Sequence, residues 1–246
     1  MNENIKKLLA AVKLSKNIVF FGGAGVSTES GIKDFRSKDG LYNLKSKYGV
    51  DYETILSHTY YERHKETFFN FYKEFMINLD AKPNNAHKFL AELEKKKNLT
   101  IITQNIDGLH QLAGSKNVIE LHGSIHRNYC EKCGKFHSLE EILKQNSVPK
   151  CECGGDIKPD VVLYEEPLLE NSIVKAMIAI QEADLLIIAG TSLRVYPANG
   201  LIRYFYGDNI YIINKEKIES NSKIKLQITG SVGEIFKELS DNYDKV

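Results

Sequence analysis

The chain has 246 residues, enough for one large domain or two small ones with a substantial core. Apolar residues make up 42% and charged residues 26%, as in ordinary soluble globular proteins, and 33 Lys plus Arg against 32 Asp plus Glu leave a net charge of +1. That balance supplies no global field to gather nucleic acid or an anionic membrane, and the most apolar stretch, Leu185 to Gly190, is far too short to span a bilayer.

In chain order, Ile5, Leu8, Leu9 and Val12 fall on one face of an N-terminal amphipathic helix, a pattern unlike a signal peptide, so a cytoplasmic protein is expected. Short apolar runs follow at Asn17–Phe21, Leu99–Thr103, Val118–Leu121, Asp160–Leu163, Asp184–Ala189 and Asn209–Ile213. Such continuous runs are typical of parallel strands buried on both faces. Helical patterns lie between several of them, at Ala86–Lys97 (with Asn84 or Asn85 as cap), Asn171–Glu182 and Gly233–Leu239. Alternating strands and helices predict a doubly wound, Rossmann-like parallel α/β sheet. Two stretches break the rhythm. Residues 37–79 are rich in Tyr, Phe, Lys and Glu without strand-like runs and read as a helical insertion; residues 126–155 hold all four cysteines and little core and read as a metal-stapled module. The expected organisation is an α/β domain from 1–36, 80–125 and 156–246, carrying a smaller composite domain made of these two insertions.

Four motifs carry chemistry. The first is the turn Gly22-Gly23-Ala24-Gly25-Val26-Ser27-Thr28 after the first strand, where glycines permit a tight turn and close approach to a pyrophosphate. Thr28 stands in place of a third glycine, so the turn alone also fits a plain strand–helix connection. Just beyond it, Asp34-Phe35-Arg36 puts a carboxylate, a ring and a phosphate-forking guanidinium together. The second motif, Thr103-Gln104-Asn105-Ile106-Asp107-Gly108, runs from a buried strand into polar side chains that would reach a ribose or carboxamide, or else form a polar turn. The third is His122, at the end of Val118–Leu121 and next to Gly123, suited to take a proton near neutral pH. His58, His64, His87 and His137 read as surface or core residues. The fourth is the cysteine set. Cys130-Glu131-Lys132-Cys133 is followed, seventeen residues on, by Cys151-Glu152-Cys153. Two close pairs at this separation match a tetrahedral thiolate zinc site, structural because four ligands close the shell, although the second pair is one residue tighter than usual. His126 or His137 is a lesser alternative ligand.

Taken together these motifs resemble the sirtuin family of NAD-dependent protein deacylases. The likeness rests on Gly23-Ala24-Gly25-Val26-Ser27 with Gly31 and Asp34-Phe35-Arg36; on Thr103 through His110; on Leu121-His122-Gly123; on the four cysteines; on Pro159-Asp160-Val161-Val162-Leu163; and on Gly190-Thr191-Ser192-Leu193 with Pro197-Ala198. The resemblance implies that NAD is consumed as co-substrate and that one zinc ion is structural. It implies an NAD site made by Gly23, Ala24, Gly25, Thr28, Asp34, Phe35, Arg36, Gln104, Gly190, Thr191, Ser192, Asn214 and Val232. Phe35, Asn105, Ile106 and Asp107 would surround the nicotinamide, and His122 would be the general base, with Asn105 and Asp107 also catalytic. Val161, Val162 and Tyr164 would meet an acylated protein lysine, whose peptide adds as a strand. Products would be free lysine, nicotinamide and an O-acyl-ADP-ribose. No nucleic-acid or membrane partner is expected, and no oligomer is evident.

The chain departs from the family pattern at Lys33, where Pro is usual, at Tyr164-Glu165-Glu166, where Phe-Gly-Glu is usual, and at Asn199, where Ala is usual. Family members that remove succinyl groups carry a Tyr-x-x-Arg pair shortly before the next helix. Here Phe68-Phe69-Asn70-Phe71-Tyr72 has no Arg, and Tyr60-Tyr61-Glu62-Arg63 lies too early. Acetyl or longer apolar acyl groups are therefore expected over acidic ones. The alternatives are an ADP-ribosyltransferase or NAD glycohydrolase on the same scaffold, a non-catalytic binding module, and a nicotinamide-dependent oxidoreductase. His122 argues against the first two, and the absence of a ribose-binding acid against the last.

Overall fold

The computed structural model describes residues 1–35, 40–43, 47–219 and 223–245. Among these, the strands are β1 (Asn17–Gly22), β2 (Asn98–Thr103), β3 (Val118–Glu120), β4 (Gly123–Cys130), β5 (Phe136–Ser138), β6 (Ile157–Val161), β7 (Leu185–Ala189), β8 (Ile210–Asn214) and β9 (Leu226–Thr229). The α-helices are α1 (Glu3–Leu14), α2 (Tyr52–Ile55), α3 (His58–Arg63), α4 (Lys65–Phe71), α5 (Asn85–Glu94), α6 (Leu109–Leu112), α7 (Leu139–Leu143), α8 (Glu170–Glu182) and α9 (Val232–Tyr243). Six strands form a parallel sheet in the order β3-β2-β1-β7-β8-β9, and β5-β4-β6 form a small antiparallel sheet.

The continuous apolar runs have the expected cause. Along β1, Ile18 and Phe20 enter one core with residues of α1, α5 and α9, while Val19 and Phe21 enter the opposite core with α8 and the 3-10 turn Ala198–Tyr204. A strand with a core on each face has no position left for an alternating polar residue. α1 buries the four predicted residues, and Asn84 caps α5 by accepting from Ala86 N–H at 2.9 Å. In the 37–79 stretch the aromatic residues build a third core. Tyr61, Phe68, Phe69, Phe71 and Tyr72 pack with Ile125, Leu139, Val161 and Leu163, and a π-helical turn at Tyr72–Met76 ends the segment.

Three elements differ from the sequence reading. The run at Asp160–Leu163 is not a strand of the parallel sheet. Its first residues close β6, antiparallel to β4, and its apolar character comes from burial of Val161 and Leu163 against the aromatic core. β9 has no continuous apolar run because it is short and half-buried at the sheet edge, following Lys223 and Lys225. α9 runs on past Leu239 to Tyr243, whose ring packs on Phe89 with centroids 5.8 Å apart. The long strands of the small sheet begin at Gly123 and end at Val161, reaching beyond 126–155 on both sides.

Candidate active site and metal centre

The chain leaves β1 for β2 and β3 on one side, then returns to place β7 on the other, so the order reverses at β1 and β7. In open α/β sheets this switch point opens a crevice at the carboxyl ends of the strands. A cavity of about 940 Å³ lies there. The glycine turn after β1 forms its floor by packing on the loop after β7. Gly23 N–H donates to Ala189 O at 3.1 Å and Gly25 N–H to Gly190 O at 2.8 Å. A Cβ on Gly25 would lie 2.7 Å from Gly190 Cα, and one on Gly190 (φ +59°) 2.4 Å from Val26 N. Close backbone approach, as well as the turn itself, requires these glycines.

The polar end of β2 forms the wall. Asn105 Nδ2 donates to Ser27 Oγ at 3.0 Å, and Ser27 Oγ donates to Asp107 Oδ2 at 2.6 Å. Asp107 Oδ1 accepts from Leu109 N–H at 2.9 Å, which opens α6, and Gln104 Nε2 donates to Thr191 Oγ1 at 3.2 Å across the crevice. Ser27 is 1% exposed and joins the two sequence motifs. The sequence alone marks Ser27 as part of the glycine turn and gives it no role, because only the fold brings it against residues 78 and 80 positions away.

His122 enters from the end of β3. Its Nδ1 lies 2.9 Å from Gln104 O. A carbonyl only accepts, so Nδ1 carries the proton and Nε2 keeps its lone pair. Burial lowers the pKa of His122, partly opposed by that carbonyl bond, so the imidazole is neutral at physiological pH. A neutral, oriented imidazole in a cavity can take a proton at Nε2. Val162 N–H donates to His122 O at 3.0 Å, placing Val161, Val162 and Tyr164 along the same cavity. The Tyr164 and Tyr42 hydroxyls are 2.7 Å apart. Among the described residues, only Glu165 (φ +77°) and Leu193 (φ +53°) are non-glycines at positive φ, and both line this cavity. Such strain persists only where the surroundings over-determine it, and it clusters at ligand clamps.

All the other candidate nucleotide and substrate residues line the cavity except two. Thr28 does not, because it opens a further 3-10 turn and its hydroxyl folds back to Gly25 O at 3.1 Å. Arg36 lies outside the described residues. Asp34, Phe35, Asn214 and Val232 reach the cavity from distant parts of the chain.

Away from the cavity, Cys130, Cys133, Cys151 and Cys153 have their sulfurs all within 4.8 Å of one another. Cys130 and Cys153 are 3.4 Å apart and Cys133 and Cys151 3.7 Å, too long for disulfides. A tetrahedron with Zn–S bonds of about 2.3 Å has S···S edges of about 3.8 Å, so the four thiols fit zinc. The single residue between Cys151 and Cys153 is accommodated by a turn closed by Gly154 N–H to Cys151 O at 2.8 Å, with Gly154 at φ +81°. His126 and His137 are not in the cluster.

Comparison with known proteins agrees with this geometry. The model of the Sir2 family matches residues 23–197. An NAD-dependent protein deacetylase of Clostridium perfringens is 55% identical over 244 residues, covering 98% of this chain and 100% of the relative. One of Staphylococcus aureus is 42% identical over 240 residues, covering 97% and 99%. Among solved structures, a Sir2 enzyme superposes with a TM-score of 0.89 at 35% identity, covering 100% of this chain and 99% of the other. A Sir2 structure with a p53 peptide and NAD+ superposes at 0.86 and 35%, covering 100% of both. A family match across most of the chain, with relatives more than half identical from end to end, makes this chain a member of the Sir2 family, the sirtuins.

Proposed function

We propose that this chain is an NAD-dependent protein-lysine deacetylase, transferring the acetyl group to ADP-ribose and releasing nicotinamide. The observation that carries the reading is His122, its free Nε2 set by the Gln104 carbonyl bond, in one cavity with the Ser27–Asn105–Asp107 network.

When bound, NAD supplies a ribose carbon from which nicotinamide departs. The amide of Ala24 lies where a pyrophosphate would approach the glycine turn, and the family resemblance adds Arg36 to the phosphate side. Gln104, Thr191, Ser192, Asn214 and Val232 line the nucleoside side. Asn105 and Asp107, held by Ser27, pin the carboxamide, while Phe35 and Ile106 exclude water from the reacting carbon. His122 would take the proton of a bound ribose hydroxyl at Nε2, its Nδ1 held by Gln104 O, and so supply the base that acyl transfer to that hydroxyl needs. Val161, Val162 and Tyr164 align the acyl-lysine. The four cysteines would hold a zinc ion with a closed shell of thiolates, away from the cavity, where it would tie the small sheet together.

Leu41, Leu56, Phe75 and Met76 give one side of the cavity an apolar lining that favours acetyl or longer fatty acyl groups over acidic ones. No helix among the described residues is long and apolar enough to cross a membrane. Four reduced thiols at metal spacing favour the cytoplasm.

The test incubates purified protein with an acetyl-lysine peptide, with and without NAD. Deacetylated peptide with equimolar nicotinamide and O-acetyl-ADP-ribose, only with NAD, is expected. Nicotinamide release without an acylated peptide would instead favour a glycohydrolase or ADP-ribosyltransferase.

A further inference from the structure

Strand β4 is irregular where it passes the cavity. It pairs with β6 as Gly123↔Val161 and Ser124↔Asp160, then resumes at Asn128↔Pro159, so residues 125–127 bulge from the ladder. Each bulged residue meets a different part of the site. Ile125 N–H donates to Ile106 O at 3.0 Å, and the His126 ring donates from Nε2 to Asp107 O at 3.2 Å. Arg127 forks. Its Nη1 donates to Glu120 Oε2 at 2.6 Å and its Nε to Asp160 Oδ2 at 2.7 Å.

The two carboxylates belong to different sheets. Glu120 ends β3, two residues before His122; its side chain is only 9% exposed, and its other oxygen accepts from Gln111 Nε2 at 2.9 Å. Asp160 lies in β6, directly before Val161 and Val162. The planar guanidinium holds two carboxylates in one fixed relative orientation, which a flexible ammonium cannot do. The fork and the Val162 N–H···His122 O bond both join the edge of the parallel sheet to the small sheet.

We propose that Arg127 is a positioning residue for this reaction: by clamping Glu120 to Asp160 it fixes the Val161–Val162 strand against the His122 segment, and so aligns the acyl-lysine with the base. The proposal rests on the assignment of Val161, Val162 and His122 made above. Removing the guanidinium leaves two neighbouring carboxylates to repel, which parts the strands on the peptide side and leaves the glycine turn on the NAD side untouched.

The experiment measures steady-state kinetics of Arg127→Ala, Arg127→Lys, Asp160→Asn and the Arg127→Ala/Asp160→Asn double variant. Zinc content and thermal midpoint are measured alongside. Arg127→Ala is expected to raise the acetyl-peptide KM roughly tenfold with NAD KM within about twofold of the parent. Arg127→Lys, which meets one carboxylate at a time, should fall between. Asp160→Asn should move peptide KM in the same direction, and the double variant should be no worse than Arg127→Ala, since both break one clamp. If Arg127→Ala does not fold, Asp160→Asn decides alone. A peptide KM unchanged in Arg127→Ala or Asp160→Asn overturns the proposal, as does a uniform change in every kinetic constant that follows thermal stability. Val162→Gly and His122→Ala, run beside them, report on the site assignment itself. Unaltered peptide KM in the first and unaltered turnover in the second would remove that assignment, and this proposal with it.

Discussion

Replacing Ser27 by alanine removes one oxygen atom that serves two partners. Its hydroxyl donates to Asp107 Oδ2 at 2.6 Å and accepts from Asn105 Nδ2 at 3.0 Å, in a position 1% exposed. A hydrogen bond to a carboxylate contributes about 1.5–3 kcal/mol and a neutral one about 0.5–1.5 kcal/mol, and a partner left buried and unsatisfied costs a similar amount. The two lost bonds together amount to roughly 2–4 kcal/mol. Felt as loss of the aligned Asn105–Asp107 loop, that corresponds to a fall of about 30- to 1,000-fold in deacetylation rate, at about 1.4 kcal/mol per tenfold. The assay follows nicotinamide release and peptide deacetylation in parallel, with thermal denaturation as control. Both rates should fall together, because in the proposed mechanism the loop acts at nicotinamide departure, before His122 is needed. A Ser27→Ala enzyme turning over within about twofold of the parent would refute the view that this hydroxyl organises the loop.

Because burial lowers the pKa of His122, kcat/KM should hold its plateau below pH 6.5, the ordinary histidine value, and decline only in more acidic solution; an acid limb centred above about pH 7 would contradict the base assignment. His87 is fully buried and burial lowers its pKa to about 4, partly opposed by Asp107. Below its unfolded value of about 6.5 the unfolded chain binds the extra proton, so the contribution of neutral His87 is present above that pH. It is lost as pH falls toward 4, by roughly 3 kcal/mol in all, and urea midpoints that stay level between pH 7.5 and 4.5 would exclude it. Gly123 has φ +78°, and a Cβ there would lie 1.8 Å from Asp160 O. Gly123→Ala should therefore cost about 1–2 kcal/mol for the left-handed backbone alone and more for parting β4 from β6, visible as a thermal midpoint several degrees lower and a raised peptide KM. Stripping zinc with a strong chelator should release four titratable thiols and cost both stability and activity, with recovery on adding zinc; full activity in protein shown free of zinc would rule out the structural role.

The doubly wound sheet was readable because its signals are local. β1, β2, β7 and β8 are continuous apolar runs, and helices buried on one face lie between several of them, so periodicity separates the two. The cysteine cluster was readable from spacing, since thiolates that share an ion must come in close pairs. Run 160–163 misled for a related reason. Burial against aromatic side chains produces the same apolar residues as burial in a parallel sheet, and a sequence does not say which surface covers it. β9 was missed because a short, half-buried edge strand needs few apolar residues.

The residue types at the site, and their order along the chain, were determined by the sequence alone: a glycine turn, a polar strand end, a histidine at a strand end and four thiols at metal spacing. What only the tertiary structure decided is which of them touch. Ser27 bridges Asn105 and Asp107, His122 takes its tautomer from Gln104 O, and Arg127 reaches two carboxylates in two sheets. The physical reason is range. Propensity and burial act on neighbours in sequence, whereas a hydrogen bond is decided within about 3 Å in space. Whether two residues eighty positions apart come that close depends on strand order and loop packing, which no local pattern encodes.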